Sequence, residues 1–196
     1  MTSLSLFPSG PSTAVGRWEI DPAHSSVEFA VRHLMIGTVR GRFAGVRGTV
    51  TMGEDGVTVV ESVIEVASLT TGDAERDAHL RSPDFLDAAR FPAMRFLGRV
   101  VAGGTHATFG LPGQLTVHGI RREVELAVVA HGRVEDQAGQ VRAGFSARTT
   151  INRRGFGLTW NKILETGGRL VGDQVKIAID VELVRRRGEA LPDLAS

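Results

Sequence analysis

The chain has 196 residues, which suits one domain large enough to hold a substantial core. Its formal net charge is +1 and its basic residues are spread along the sequence, which argues against nucleic acid as the main partner. The sequence contains no cysteine, which excludes disulfides and thiolate chemistry, and no stretch has the length and apolarity of a transmembrane helix.

The chain divides into three parts. Residues 1–16 are rich in Ser, Pro, Gly and Thr, without the basic and apolar regions of a secretory signal, so we expect a disordered lead-in. Residues 17–184 carry the patterned sequence and are predicted to form a barrel domain. Residues 185–196 begin with three arginines and are expected to form a flexible tail.

Apolar and polar residues alternate through most of residues 17–184, which is typical of half-buried β-strands. The clearest case is the last strand, where Val175, Ile177 and Ile179 alternate with polar neighbours. Glycines within the strands, such as Gly41 and Gly48, favour bends or bulges. About eight or more short antiparallel strands are therefore predicted, in a sandwich or a closed barrel.

One segment, residues 68–87, has a helical rather than a strand pattern. Its spacing predicts helical charge pairs at Asp73–Arg76, Glu75–His79 and Asp77–Arg81. Ser82 and Pro83 have the residue types of an N-cap and a first helical position, so a second short helix is predicted there. We expect residues 73–90 to form a helical insert that packs across the barrel.

The aromatic residues favour an apolar interior. The chain has nine Phe, two Trp and no Tyr, so nearly all of its ring surface lacks a hydroxyl. Five of the phenylalanines fall on the apolar parity of their strands and are predicted to point inward: Phe29, Phe43, Phe96, Phe109 and Phe145. These rings fit either a packed core or a greasy cavity, because a barrel of about eight strands is wide enough to enclose a ligand.

No catalytic constellation is recognisable. The sequence has no nucleophile elbow, phosphate loop or dinucleotide fingerprint, and its histidines lack the spacing of a strong metal site. A metal site from Asp21, His24 and His33 remains an alternative. The segment 151–161 mixes arginines, amides, glycines and rings, so as a loop at a barrel end it offers hydrogen-bond donors above an apolar floor, unless it simply covers the barrel.

Several of these motifs resemble the YceI-like proteins in order and content. The similar segments are Trp18 to Phe29, Val31 to Leu34, Val39 to Phe43, Thr71-Gly72, Arg76 to Ser82, Asp84-Phe85, Phe91-Pro92, Gly113 to Gly119, Ala143 to Phe145 and Ile151 to Arg153. The resemblance extends from about Trp18 to Leu183 and implies an all-β fold, an extended lipocalin-like antiparallel β-barrel with a short helical insert between strands.

The resemblance also implies a function. Family members bind polyisoprenoids or related long-chain amphiphilic lipids, so a non-enzymatic binding, storage or transport role is expected. No cofactor or metal is expected, although an isoprenoid lipid or quinone is a candidate ligand. The alternatives are an enzyme acting on an isoprenoid-like substrate in the same cavity, or a stress-response structural protein with a filled barrel. A homodimer is an open alternative.

The expected ligand contacts fall into two sets. The apolar cavity is predicted to be lined by Phe29, Val31, Phe43, Phe85, Leu86, Phe96, Phe109, Leu115, Val117, Phe145, Phe156 and Trp160. The polar head group is predicted to lie near Arg76, His79, Asn152 and Arg153. Many similar proteins begin with a signal peptide, whereas this sequence shows none, so a cytoplasmic location is expected.

Overall fold

The computed structural model describes residues 16–34, 36–101, 107–163 and 170–185. These contain the strands β1 (Gly16–Ile20), β2 (Ser26–His33), β3 (Gly37–Phe43), β4 (Val46–Met52), β5 (Val57–Glu65), β6 (Leu69–Thr70), β7 (Ala93–Val101), β8 (Thr108–Val117), β9 (Ile120–Glu135), β10 (Val141–Asn152) and β11 (Val171–Arg185). They also contain one α-helix, α1 (Ala74–Arg81), and the short 3₁₀ helices Pro22–His24, Val66–Ser68 and Arg153–Phe156. Most of the predicted lead-in and tail, residues 1–15 and 186–196, lies outside the described residues.

Eight antiparallel strands close into a barrel in the order β1-β4-β5-β7-β8-β9-β10-β11. Closure comes from β1 and β11, where Trp18 lies opposite Arg185 and Ile20 opposite Leu183. The other half of β11 pairs with β2, which continues the sheet through β3 and β6. The predicted extended antiparallel barrel is confirmed. We call the end of the barrel at which β1 begins the lower end, and the end that carries the β2–β3 turn the upper end.

The break between β1 and β2 has a local cause. Asp21 accepts a hydrogen bond from the backbone of Ala23 at 3.0 Å, and Pro22 occupies the first position of the 3₁₀ helix that follows. The chain thereby turns away from β4 while both β1 and β2 stay paired with β11. Before the break, β1 thus belongs to the closed barrel at its lower end, and after the break, β2 starts the additional strands at the upper end.

The helical insert is shorter than predicted. Helix α1 ends at Arg81, and residues 82–90 form hydrogen-bonded turns instead of a second helix. Their backbone N–H groups are drawn back to the end of α1, since Leu86 donates to the Leu80 carbonyl and Ala88 donates to that of Arg81. The backbone of Asp87 adopts a positive φ of 45°, which a right-handed helix cannot continue through.

Of the three predicted charge pairs in α1, one forms a salt bridge, one acts by attraction without a salt bridge, since Arg81 lowers the pKa of Asp77, and one is replaced. Arg76 does approach Asp73, at 3.8 Å. His79, however, pairs with Asp84 at 2.9 Å rather than with Glu75. The carboxylate of Asp77 turns inward to a threonine, while Arg81 donates to backbone carbonyls. The turns after α1 bring Asp84 within reach of the helix, which helical spacing alone does not reveal.

Candidate functional site

An apolar cavity of about 390 Å³ occupies the barrel interior. That volume lies within the range of ligand pockets, so the interior is not the filled barrel of the structural alternative. Ten of the twelve predicted cavity residues line it: Phe29, Val31, Phe43, Phe85, Leu86, Phe96, Phe109, Leu115, Val117 and Phe145. All five phenylalanines on the apolar strand parity therefore face the cavity, because alternate residues of a strand share one face.

The other two predicted residues lie outside the wall. The ring of Phe156 is buried in the core. It belongs to the 3₁₀ helix Arg153–Phe156, which packs on β9 in the region where β9 is no longer paired with β10, after Arg148. The indole of Trp160 packs instead against His79 and Phe85, with ring centroids 4.8 and 5.0 Å away. Both rings cover the upper end of the barrel from outside the cavity.

Many lining residues were not named from the sequence. They include Val60, Ile64, Leu111, Leu126, Val128, Ile177, Ile179, Val181 and Leu183. Each has the apolar parity of its strand, so the same alternation that placed the phenylalanines would have identified them. Among the lining residues that the structure describes, Arg153 alone is ionisable and the other polar ones carry hydroxyls.

A glycine shapes part of the wall. Gly41 in β3 lies opposite Phe29 in β2, and a Cβ at this glycine would overlap the phenyl ring. It would also come within 2.8 Å of Cγ2 of Thr71. The absent side chain thus lets the ring of Phe29 lie flat against β3, at a centroid distance of 5.7 Å from Phe43. Gly41 therefore sets how far this ring reaches into the cavity.

One hydroxyl in the wall has no partner. Thr58 lies at the lower end of β5 with 4% of its surface exposed, and its Oγ1 makes no hydrogen bond to any residue that the structure describes. Leaving a buried hydroxyl unpaired costs about 1–3 kcal/mol. Its next neighbour along the inward face of β5 is Val60, which offers no acceptor, and the hydroxyl of Ser62 lies four residues along the strand. Thr58 is thus a local cost within an otherwise apolar wall.

Arg153 joins the connection between β10 and β11 to the barrel. Its side chain is buried. Nε donates to the carbonyl of Gly172, and Nη1 donates to the carbonyls of Leu158 and Trp160. Nη2 donates to the carbonyl of Val171 and to the carboxylate of Asp173. A guanidinium has five N–H donors, and these five contacts use all of them. The cation is therefore balanced at the cavity wall without a ligand.

The other predicted head-group residues lie near the same end. The Nε of Arg76 donates to Oγ1 of Thr71 at 2.7 Å, and His79 pairs with Asp84. Asn152 is exposed and caps the 3₁₀ helix by accepting the N–H of Arg154. His79 and Arg153 both contact Trp160, through its ring and its carbonyl, which connects α1 to the β10–β11 connection.

Asp77 fixes the base of α1. It is buried, and its Oδ1 accepts hydrogen bonds from the backbone and the hydroxyl of Thr71 at 2.7 and 2.6 Å. Burial pushes the pKa of this carboxyl up, but the Thr71 hydrogen bonds, a Thr70 hydrogen bond and the charge of Arg81 together outweigh it and leave the pKa below its ordinary value. An ionised Asp77 therefore ties the helical insert to β6.

Another group of ionisable residues lies outside the cavity. Asp21, His24 and Glu182 place their ligand atoms within 4.8 Å of one another. His33, the third residue of the metal alternative, lies at the far end of β2, so that predicted triad is not assembled. Arg142 already bridges Asp21 at 2.8 Å, Asp136 at 2.8 Å and Glu182, so a cationic side chain fills this position.

The same hydrogen bonds set the charges in this group. Hydrogen bonds from His24 and then Arg142 lower the pKa of Asp21 to about 2. The guanidinium of Arg142 likewise lowers the pKa of Asp136, and its three carboxylate partners raise its own. The ion pairs of Arg142 thus join the β1–β2 break to β10 and β11.

No helix among the described residues is long and apolar enough to cross a membrane.

Comparison with known sequences gives a match to the YceI-like domain over residues 18–183. A relative named UPF0312 protein, from Shewanella denitrificans, is 34% identical over 157 residues, which cover 78% of this chain and 81% of that protein.

Solved structures share the fold. BcnA from Burkholderia cenocepacia superposes with a TM-score of 0.70 at 21% identity, covering 83% of this chain and 98% of BcnA. A polyisoprenoid binding domain from Saccharophagus degradans superposes with a TM-score of 0.64 at 15% identity, covering 86% and 98%. The sequence match over nearly the whole barrel, together with this shared fold, places the chain in the YceI-like family.

Proposed function

We propose that this protein binds a polyisoprenoid or a similar long-chain amphiphilic lipid in its barrel and carries or stores it without changing it chemically. The observation that carries the proposal is the 390 Å³ cavity with its almost wholly apolar wall. An isoprenoid tail gains about 0.8 kcal/mol for each methylene that it buries there. The resemblance to a polyisoprenoid binding domain supports the same class of ligand.

The chemistry of the wall favours a carrier over an enzyme. General acid–base catalysis needs a titratable group within hydrogen-bond reach of the reacting atom. Among the described lining residues, Arg153 is the one ionisable group, and its five donors are engaged by the protein itself. Arg153 therefore supports the upper wall, and the wall favours a ligand whose buried part is uncharged.

The direct experiment is native mass spectrometry of the purified protein, followed by extraction and identification of the bound lipid. The protein should then bind added farnesol, a fifteen-carbon prenyl alcohol, and release it unchanged after prolonged incubation. Time-dependent conversion of farnesol, absent with heat-denatured protein, would favour the enzyme instead.

A pair of variants tests whether the ligand occupies the cavity. Phe145→Arg places a charge in the apolar wall and should abolish farnesol binding. Thr150→Arg adds the same side chain to the exposed face of the same strand and should bind like wild type. Equal binding by both folded variants would show that the lipid binds elsewhere.

A further inference from the structure

Three exposed apolar side chains lie at the upper end of the barrel. They are Leu34, Ile36 and Ile163, with 38%, 83% and 80% of their surfaces exposed, and are called the tip patch below. The N–H of Leu34 donates to the Leu170 carbonyl at 2.9 Å, and the N–H of Leu170 donates to the Lys162 carbonyl at 2.9 Å. These hydrogen bonds hold Leu34, at the start of the β2–β3 turn, near Lys162, which precedes Ile163 in the chain.

The backbone at the tip patch is strained. Leu34 has a φ of 51°, in the left-handed region that turns normally give to glycine or asparagine. Leu34 is not part of the buried core, and 38% of its surface stays exposed. Strain and exposure together at one apolar residue point to a contact that the isolated chain does not satisfy.

Positive charge surrounds the tip patch. Arg32, Arg40, Lys162 and Lys176 are all exposed, and the two lysines are the only ones in the chain. Lys176 lies opposite Ala30, which lies opposite Arg40, so these cations share one outward row across β11, β2 and β3. Within residues 29–34, 36–41, 158–163 and 170–178, Asp173 is the one acid, and it is paired with Arg153; Glu28 and the acids of α1 lie outside these ranges.

From the joint presence of exposed apolar side chains, a strained leucine and a row of exposed cations, we infer that the tip patch docks on an anionic lipid bilayer. Apolar side chains enter the acyl boundary while arginines and lysines meet acidic head groups, which is how peripheral proteins hold to membranes. The net charge of +1 for the whole chain shows that this is a local concentration of cations. The inference concerns the outside of the barrel and does not depend on what the cavity binds.

Docking in this manner sets the orientation of the protein. The cavity-lining residues nearest the tip patch are Val31 and Val171, which lie in β2 and β11 next to the turn. The upper end of the cavity would thus face the bilayer, with the lower end, where β1 begins, directed into water. A barrel that takes lipid from a membrane or returns lipid to it gains from this arrangement.

Flotation of the purified full chain with vesicles tests the inference. Vesicles of phosphatidylglycerol and phosphatidylcholine should retain the protein, and pure phosphatidylcholine vesicles should retain much less. Ile36→Ser with Ile163→Ser should lower the partition coefficient at least tenfold. The matched control is Val101→Ser with Val134→Ser, whose side chains are 69% and 63% exposed at the lower end; it should stay within about twofold of wild type.

The charge arm uses Arg40→Gln with Lys176→Gln. Losing two basic residues near the surface should weaken binding to the anionic vesicles roughly twentyfold or more and flatten its dependence on salt. Absence of wild-type binding to anionic vesicles, or equal loss in the lower-end control, would overturn the inference. So would a concentration-dependent dimer that the tip substitutions dissociate. Farnesol affinity should not change in the Ile36, Ile163, Arg40 and Lys176 variants, none of which alters a cavity-lining residue, so failure of cavity binding is scored separately.

Discussion

The affinity of linear alcohols should rise steeply with chain length, and the cavity fixes the size of the effect. Dividing 390 Å³ by the ~30 Å³ of a water-sized group gives room for at least about thirteen methylene-sized groups. Each methylene transferred from water contributes about 0.8 kcal/mol, which is roughly fourfold in affinity. Between octanol and dodecanol, four methylenes should therefore contribute about 3 kcal/mol, or roughly 200-fold.

The assay is displacement of a fluorescent fatty dye by alcohols of eight to about fourteen carbons, below their solubility limits. Affinity should increase at every step up to at least about thirteen carbons, because the wall is apolar along its length. A series that is flat, or that levels off by octanol, would refute the reasoning, since it would mean that the interior collapses or is closed to ligands in solution.

Four further outcomes follow from particular residues. Gly41→Ala should push the ring of Phe29 into the cavity and weaken dodecanol binding in the same displacement assay, about tenfold, by filling space that the ligand needs. Thr58→Val should raise the free energy of unfolding by about 1 kcal/mol in urea titrations, because it removes an unpaired buried hydroxyl. Arg153→Met should lower it by roughly 3–5 kcal/mol and Tm by about 10 °C, since it removes the guanidinium that donates to the carbonyls of Gly172, Leu158 and Trp160. Because folding lowers the pKa of Asp21, its ionised carboxylate stabilises the protein at pH values above its ordinary pKa of 3.8. This stabilisation, of order 1 kcal/mol after solvent screening, should be lost in urea titrations as pH falls from about 4 to about 2.

Matched controls separate these effects from general damage. Gly110→Ala is the control for Gly41→Ala, because its new Cβ would meet only the flexible side chain of Glu125 on the outside of the barrel. Asp21→Asn should remove the loss of stability between pH 4 and 2. An unchanged acid transition in that variant would assign the transition to other carboxylates. Stability of Thr58→Val equal to or below wild type would show that the hydroxyl does have a partner in solution.

Alternation in the sequence determined the inward face of the barrel. Phe29, Phe96 and Phe145 point into the cavity as predicted, because side chains along a strand must alternate between its two faces. The same rule covers lining residues that were not named, such as Ile177. The resemblance of the motifs between Trp18 and Leu183 gave the barrel and the family, both of which are confirmed.

The tertiary structure decided the contacts between segments that are distant in sequence. Local spacing predicted a partner for His79 within α1, but the turns after Arg81 bring Asp84 to it. The sequence shows Arg153 as a basic residue in a glycine-rich segment, whereas the fold surrounds it with carbonyls from both sides of the connection between β10 and β11.

At the upper end of the barrel, too, the tertiary structure decided contacts that the sequence does not reveal. Leu34 and Ile36 read as ordinary members of an alternating sequence, and Ile163 lies more than a hundred residues away. The pairing of β2 with β11 and the backbone hydrogen bonds through Leu170 bring the two segments together. Periodicity determines which face of a strand a side chain occupies, because it depends on backbone geometry alone. Which distant segments share a surface depends on how the whole sheet closes, and the folded barrel decided it.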